Sequence, residues 1–172
     1  MNNEEINIAL KTLADKCDVA ASIGRCGKVK NLGVFPSNHL PNCTEILTPG
    51  SFMIVNTDPV ESKGTHWLAL YCPARNVIEV FDSYGYSLDT YPVVKSFLID
   101  RCRPKLLKTM EGSAVQEESA DTCGAHCIFY LAKRILDKIS MERIIGNIYS
   151  DNANLNDCLV LHYLIDHIYL YY

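Results

Sequence analysis

Four residues of this 172-residue chain have the types and the order to carry out one reaction together. Hydrolysis by a thiol needs a nucleophile, a base that holds it as thiolate, a group that orients the base, and donors for the oxyanion. Cys123, His66, Asp82 and Gln116 offer one candidate for each. Cys123 ends the polar turn Gln116-Glu117-Glu118-Ser119-Ala120-Asp121-Thr122 and opens an apolar run. A helix starting there would present unpaired N–H groups and a positive dipole end, both of which favour a thiolate. His66 stands in Gly64-Thr65-His66-Trp67, and Asp82 in Val80-Phe81-Asp82-Ser83-Tyr84-Gly85. Each residue also has a plainer reading. Cys123 could be a small buried hydrophobe, His66 a structural imidazole, and Asp82 a turn residue bonding its own backbone. Gln116 could be a loop polar and Trp67 a core ring. Their joint occurrence in this order is what favours chemistry.

The elements that must position them follow from periodicity. Residues 65–72 and 76–82 are apolar runs joined by Pro73-Ala74-Arg75-Asn76, which predicts a hairpin of two mostly buried strands. Counting outward from that turn puts His66 across from Asp82, at the open end of the pair. Residues 51–56 predict a neighbouring strand and 106–110 a short one. Asn2 or Asn3 caps a first helix with Ile6, Leu10, Leu13 and Cys17 on one stripe. Residues 24–41, punctuated by Gly24, Gly27 and Gly33, read as irregular. Ser87 or Asp89 opens a helix carrying Tyr91, Val94 and Leu98. The run 123–139 is apolar nearly all round and predicts a buried central helix, with Cys127 in the core. Ser140 caps a further helix, and Asn154 or Asn156 opens a last one with Leu159, Leu164 and Ile168. The predicted class is α+β: a central, mostly antiparallel sheet, the nucleophile at the N-terminus of a buried helix, and helices at both chain ends.

Composition narrows the function. The length fits one domain, 1–172, with its own core, and 48% hydrophobic residues describe an ordinary folded protein. A net charge of −4 gives no global attraction to nucleic acid, and the densest basic clusters, Lys28-Val29-Lys30 and Arg101-Cys102-Arg103-Pro104-Lys105, read as solvated faces. The eight cysteines contain no Cys-x-x-Cys pair. Cys123, His126 and Cys127 lack a second ligand pair, so no metal is expected. The start Met-Asn-Asn-Glu-Glu is unlike a signal peptide, and the apolar stretch 158–172 is broken by His162, Asp166 and His167. An intracellular protein with reduced thiols and no membrane partner is the expectation.

Taken together, Gly64-Thr65-His66-Trp67, Phe81-Asp82-Ser83-Tyr84-Gly85 and the run from Gln116 to Cys123-Gly124 resemble the adenovirus-type endoprotease (adenain) family, which is related in fold to proteases of SUMO- and ubiquitin-like proteins. The resemblance covers roughly residues 35–130. It implies Cys123 as nucleophile, His66 as base and later acid, and Asp82 as its orienting carboxylate. It implies an oxyanion hole from the Gln116 amide and the Cys123 N–H, Trp67 beside the imidazole, and Gly124 for close approach of substrate. The implied function is maturation of viral or virus-like structural precursors, in the nucleus or cytoplasm of a host cell and in the virion. Asp82 and Asp121 fit the alternative, a deconjugase of ubiquitin-like proteins, although that branch carries a further tail-clamping tryptophan and this chain has one in all. The chemistry requires no cofactor. The resemblance implies stimulation by DNA and by a disulfide-linked peptide, for which Cys102 lies near, but a few residues early of, the matching position.

Overall fold

The computed structural model describes residues 1–24, 27–60 and 64–169. Cys26 and the last three residues of the terminal apolar stretch lie outside them. Five strands form one mixed sheet in chain order: β1 (Lys30–Pro36), β2 (Ser51–Asn56), β3 (Trp67–Tyr71), β4 (Val77–Phe81) and β5 (Leu106–Lys108). The inner pairings β2–β3 and β3–β4 are antiparallel, and the outer ones, β1–β2 and β4–β5, are parallel. With helices at both ends of the chain, the α+β expectation holds. One strand was not legible. β1 occupies the stretch that reads as irregular, and it pairs with β2 through a register shift between Asn31 and Val34 that accommodates Gly33.

Side-chain alternation explains why the sheet is buried on both faces. Phe52, Ile54, Ala69 and Phe81 face one core, and Met53, Val55, Leu68, Leu70, Ile78 and Val80 face the other. The first core is closed by α1 (Asn3–Ser22), α4 (Cys123–Ile135) and α6 (Ala153–Leu164). α1 begins with a reciprocal cap: the Glu5 N–H donates to Asn2 Oδ1 at 2.9 Å, and the Asn2 N–H to Glu5 Oε2 at 2.8 Å. Its stripe of Ile6, Leu10, Leu13 and Cys17 is fully buried, as its spacing predicts.

The second core is covered by α2 (Cys43–Ile46) and α3 (Pro92–Ser96), which continues in wider turns to Cys102 and stops at Arg103 in the left-handed region (φ 48°). Ser87 caps the single 3₁₀ turn before α3, its hydroxyl accepting from the Asp89 N–H. The remaining short helix, α5 (Met141–Arg143), has Ser140 as its cap. Among the described residues no helix is long and apolar enough to cross a membrane.

α4 is central. Every residue from Cys123 to Ala132 is buried. Its far end is pinned to β4 by Glu79, which accepts from Arg134 Nε at 2.6 Å, Arg134 Nη2 at 3.0 Å and the Tyr130 hydroxyl at 2.7 Å. The helix stops at Ile135, short of the predicted 139, and the chain turns at Lys138 (φ 54°). α6 is capped by Asn152, whose side chain accepts from the Leu155 N–H, rather than by Asn154 or Asn156. Its buried stripe is Asn156, Val160 and Leu164, and Leu159 is partly exposed.

Candidate active site

His66 and Asp82 meet at the open end of the β3–β4 pair, though not as simple counting has it. Ala69 faces Phe81 and Leu70 faces Val80, so Leu68 falls in line with Asp82, where counting had put His66. The slip comes from the connecting loop, where Asn76 takes a left-handed φ of 61° and the Val77 N–H closes onto Ala74 O at 3.0 Å. A slip of two residues preserves the face on which every side chain points. His66 and Asp82 therefore become diagonal neighbours, within reach of each other. His66 Nε2 lies 2.7 Å from Asp82 Oδ1, with both side chains almost wholly buried.

Asp82 is held from all sides. Oδ1 also accepts from the Tyr84 N–H at 3.0 Å, and Oδ2 from the Tyr86 N–H at 3.2 Å and the Tyr91 hydroxyl at 2.8 Å. Four donors leave the carboxylate no freedom to rotate. Gly85 makes the turn that supplies two of them. Its φ is +64°, and a Cβ there would come within 2.8 Å of the backbone of Ser113 and Ala114.

The other imidazole nitrogen, His66 Nδ1, is buried and makes no hydrogen bond of good geometry. The Cys123 thiol lies close enough to the ring to act on its charge. Burial depresses the basicity of His66, but Asp82 and then Cys123 outweigh it, and the pKa is pushed up from 6.5 to about 9. Asp82 thus favours the protonated ring, whose Nε2–H donates to Asp82 Oδ1 and whose second N–H would be free for the sulfur. Cys123 is the first residue of α4, where a backbone N–H has no acceptor within the helix. The rings against the imidazole are Tyr84, with centroids 4.8 Å apart, and Tyr91, at 5.9 Å.

Gln116 is buried on the same side. Its Oε1 accepts from Ser83 Oγ at 2.6 Å, which fixes the amide's orientation, and its backbone N–H donates to Ser83 O at 3.1 Å. Nε2 donates to Tyr84 Oη at 3.1 Å and to Ala120 O at 2.5 Å. Asp82 and Ser83, adjacent in sequence, thus hold His66 and Gln116 respectively.

Trp67, Gly64, Thr65, Tyr84, Ala120, Asp121 and Cys123 line an open cleft of about 410 Å³. Another hollow of about 380 Å³, beneath Lys28, Arg134 and Lys138, has no thiol, imidazole or carboxylate in its lining. Trp67 is buried at the cleft edge and its indole N–H donates to Asn3 Oδ1 at 3.3 Å. Gly124 packs closely against Ile6 of α1 and against Met1: a Cβ there would meet Ile6 Cδ1 at 3.1 Å and Met1 Cβ at 3.2 Å. Cys127 is core, its thiol directed at Trp67 O at 3.3 Å.

Cys102 does not have the surface position that a disulfide-linked activator needs. It is buried beside the Cys43 thiol, and burial, reinforced by Cys43, pushes its pKa far above the thiol range. Exchange requires an accessible thiolate, so this conformation disfavours attachment there.

Several residues carry no local signal of their position. Ser83, Tyr84 and Tyr91 touch the candidate set, and Asn156 and Asp157 hold the loop before Cys123 from α6.

The sequence profile described as adenovirus endoprotease matches residues 31–156. Relatives include a protein named Protease from Bovine adenovirus 7, 35% identical over 88 residues, which are 45% of this chain and 44% of that protein. A second, also named Protease, from Frog adenovirus 1, is 32% identical over 114 residues, 59% of this chain and 53% of that protein. The chain thus spans about half the length of the curated relatives it matches. Among solved structures, the central domain of an uncharacterised Legionella pneumophila protein superposes with a TM-score of 0.52 at 14% identity, covering 97% of this chain and 95% of that one, a likeness of fold alone.

Proposed function

The chain belongs to the adenovirus endoprotease family, and from that premise we propose that it is a thiol endopeptidase with Cys123 as nucleophile. The observation that carries this reading is His66: bound to Asp82 through Nε2, with a buried, unpaired Nδ1 beside the Cys123 thiol. The Cys123 thiolate attacks a peptide carbonyl and its carbonyl oxygen becomes an oxyanion. The Cys123 N–H and one N–H of Gln116, turning from the Tyr84 hydroxyl, donate to that oxyanion. His66 gives its Nδ1 proton to the departing amine, leaving a thioester on Cys123. Nδ1 then takes a proton from water as the water attacks the thioester, and collapse frees the acid and the thiolate. Asp82 holds the ring in one orientation throughout and stabilises its charged form.

The substrates we propose are structural precursors of a DNA virus or virus-like element, cut next to small residues such as glycine, inside the host cell and in the virion. The chemistry needs no cofactor. DNA and a peptide stimulator act, on this reading, through surfaces other than Cys102. Incubating the purified chain with virion precursor proteins should give discrete cuts that vanish in Cys123→Ala. Uncut precursors, with and without DNA, together with labelling of Cys123 by a ubiquitin or SUMO probe bearing a C-terminal electrophile, would replace this reading with that of a deconjugase.

A further inference from the structure

The loop from Gln116 to Cys123 is gripped on both sides by two adjacent residues of α6. Asn156 Nδ2 donates to Val115 O at 2.9 Å, just before Gln116. Asp157 Oδ2 accepts from the Glu117 N–H at 3.2 Å, just after it, and Asp157 Oδ1 accepts from Thr122 Oγ1 at 2.5 Å, just before Cys123. The grip is itself anchored. Asn156 Oδ1 accepts from the Ser150 N–H at 2.8 Å, and Asp157 Oδ1 lies 2.8 Å from His126 Nε2 on α4. The far ring nitrogen, Nδ1, lies 3.0 Å from the Tyr149 hydroxyl. Since a carboxylate only accepts, Nε2 carries the ring proton and Nδ1 accepts from the tyrosine.

We propose that Asn156 and Asp157 are positioning residues that set the separation between the Gln116 amide and the Cys123 N–H, and so the geometry of the oxyanion hole. This rests on the thiol-protease reading of the same site. Both residues are buried, 2% and 8% exposed, while Leu155 and Leu159 of the same helix are 61% and 37% exposed. Two polar groups occupy inward positions that a leucine could fill, and their bonds go to the loop that separates the two donors. Neither is hydrogen-bonded to His66 or Asp82, so the grip acts on the oxyanion side and not through the histidine–aspartate pair.

That division gives the test. Alkylation of Cys123 by iodoacetamide needs a reactive thiolate and no oxyanion. Peptide cleavage, and binding of a peptide aldehyde as its thiohemiacetal, need both. Asp157→Asn keeps the shape but leaves one acceptor oxygen in place of two, so either the Glu117 N–H or the Thr122–His126 side loses its acceptor. It is expected to lower kcat about 10- to 100-fold, as misplacement near 1 Å does, and to weaken aldehyde binding in proportion. KM and the alkylation rate should stay within about twofold. Thr122→Val, which removes one bond and leaves α6 intact, is expected to show the same pattern more weakly, and it decides the matter if Asp157→Asn does not fold. Unchanged kcat in both variants, or alkylation falling in step with kcat, overturns the proposal. An unaltered chain that cleaves no peptide, and whose Cys123 alkylates no faster than free cysteine, overturns the protease reading and this one with it.

Discussion

Two histidine–aspartate pairs flank the first turn of α4, and they are almost the same object geometrically: 2.7 Å for His66–Asp82 and 2.8 Å for His126–Asp157. They differ at the second ring nitrogen. His126 Nδ1 has the Tyr149 hydroxyl, so the ring is satisfied at both ends, and burial drives its pKa down against the pull of Asp157. His66 Nδ1 has only the thiol, and its pKa goes up. A buried ring with every bond made is scaffolding. A buried ring with one bond left open can move a proton.

The sharpest way to break this distinction is to remove each ring. His66→Ala should lower kcat by about 10⁴-fold or more on any peptide the protein cleaves, judged from other triad hydrolases. A residual rate within tenfold of the unaltered protein would erase the difference between the pairs. Gln116→Ala comes next, at about 10²–10³ in kcat with little change in KM, the usual effect of losing one oxyanion donor.

His126→Phe should act mainly on stability. It leaves the Asp157 carboxylate short of a partner and should lower the free energy of unfolding by about 1–3 kcal/mol in urea titrations. A loss of kcat in that variant with the iodoacetamide rate unchanged would trace to the loosened Asp157 grip, whereas kcat and alkylation falling together, without loss of stability, would mean that the second pair also acts on the thiol.

The smallest effects are in the dependence of the thermal midpoint on pH, where the two pairs have opposite signs. A raised folded pKa means that His66 stabilises in full below 6.5 and that its contribution is lost as pH rises through about 9. A lowered folded pKa means that His126 must stay neutral, so the unfolded chain binds the extra proton and stability falls as pH drops below 6.5. His66→Gln should flatten the alkaline limb and His126→Phe the acid limb, in differential scanning measurements across that range.

What could be read without coordinates was what repeats locally. The α1 stripe, the strand 51–56, the hairpin and the start of α4 all follow from periodicity and flanking residues. β1 did not, because a strand interrupted by Gly33 and ended by Pro36 is defined by its parallel partner, which lies beyond a turn and α2. The pairing of His66 with Asp82 was legible in face though not in register, since alternation fixes the side of the sheet while the left-handed Asn76 decides the count. Asp157 was invisible for a different reason. Its partners Glu117, Thr122 and His126 lie 31 to 40 residues away, and an acidic residue on a helix looks like any solvated one. Gly124 has a near neighbour that its local sequence does not reveal: a Cβ there would come to 3.1 Å from Ile6 Cδ1, which would have to give way by a few tenths of an ångström.

Trp67 is the chain's single tryptophan, next in sequence to the base and on the wall of the cleft that reaches Cys123. All indole fluorescence from the molecule therefore originates within the site. Indole emission follows the polarity around the ring, so the signal should change when the cleft is filled. The protein carries its own optical probe of occupancy, usable in Cys123→Ala, where no turnover can be seen.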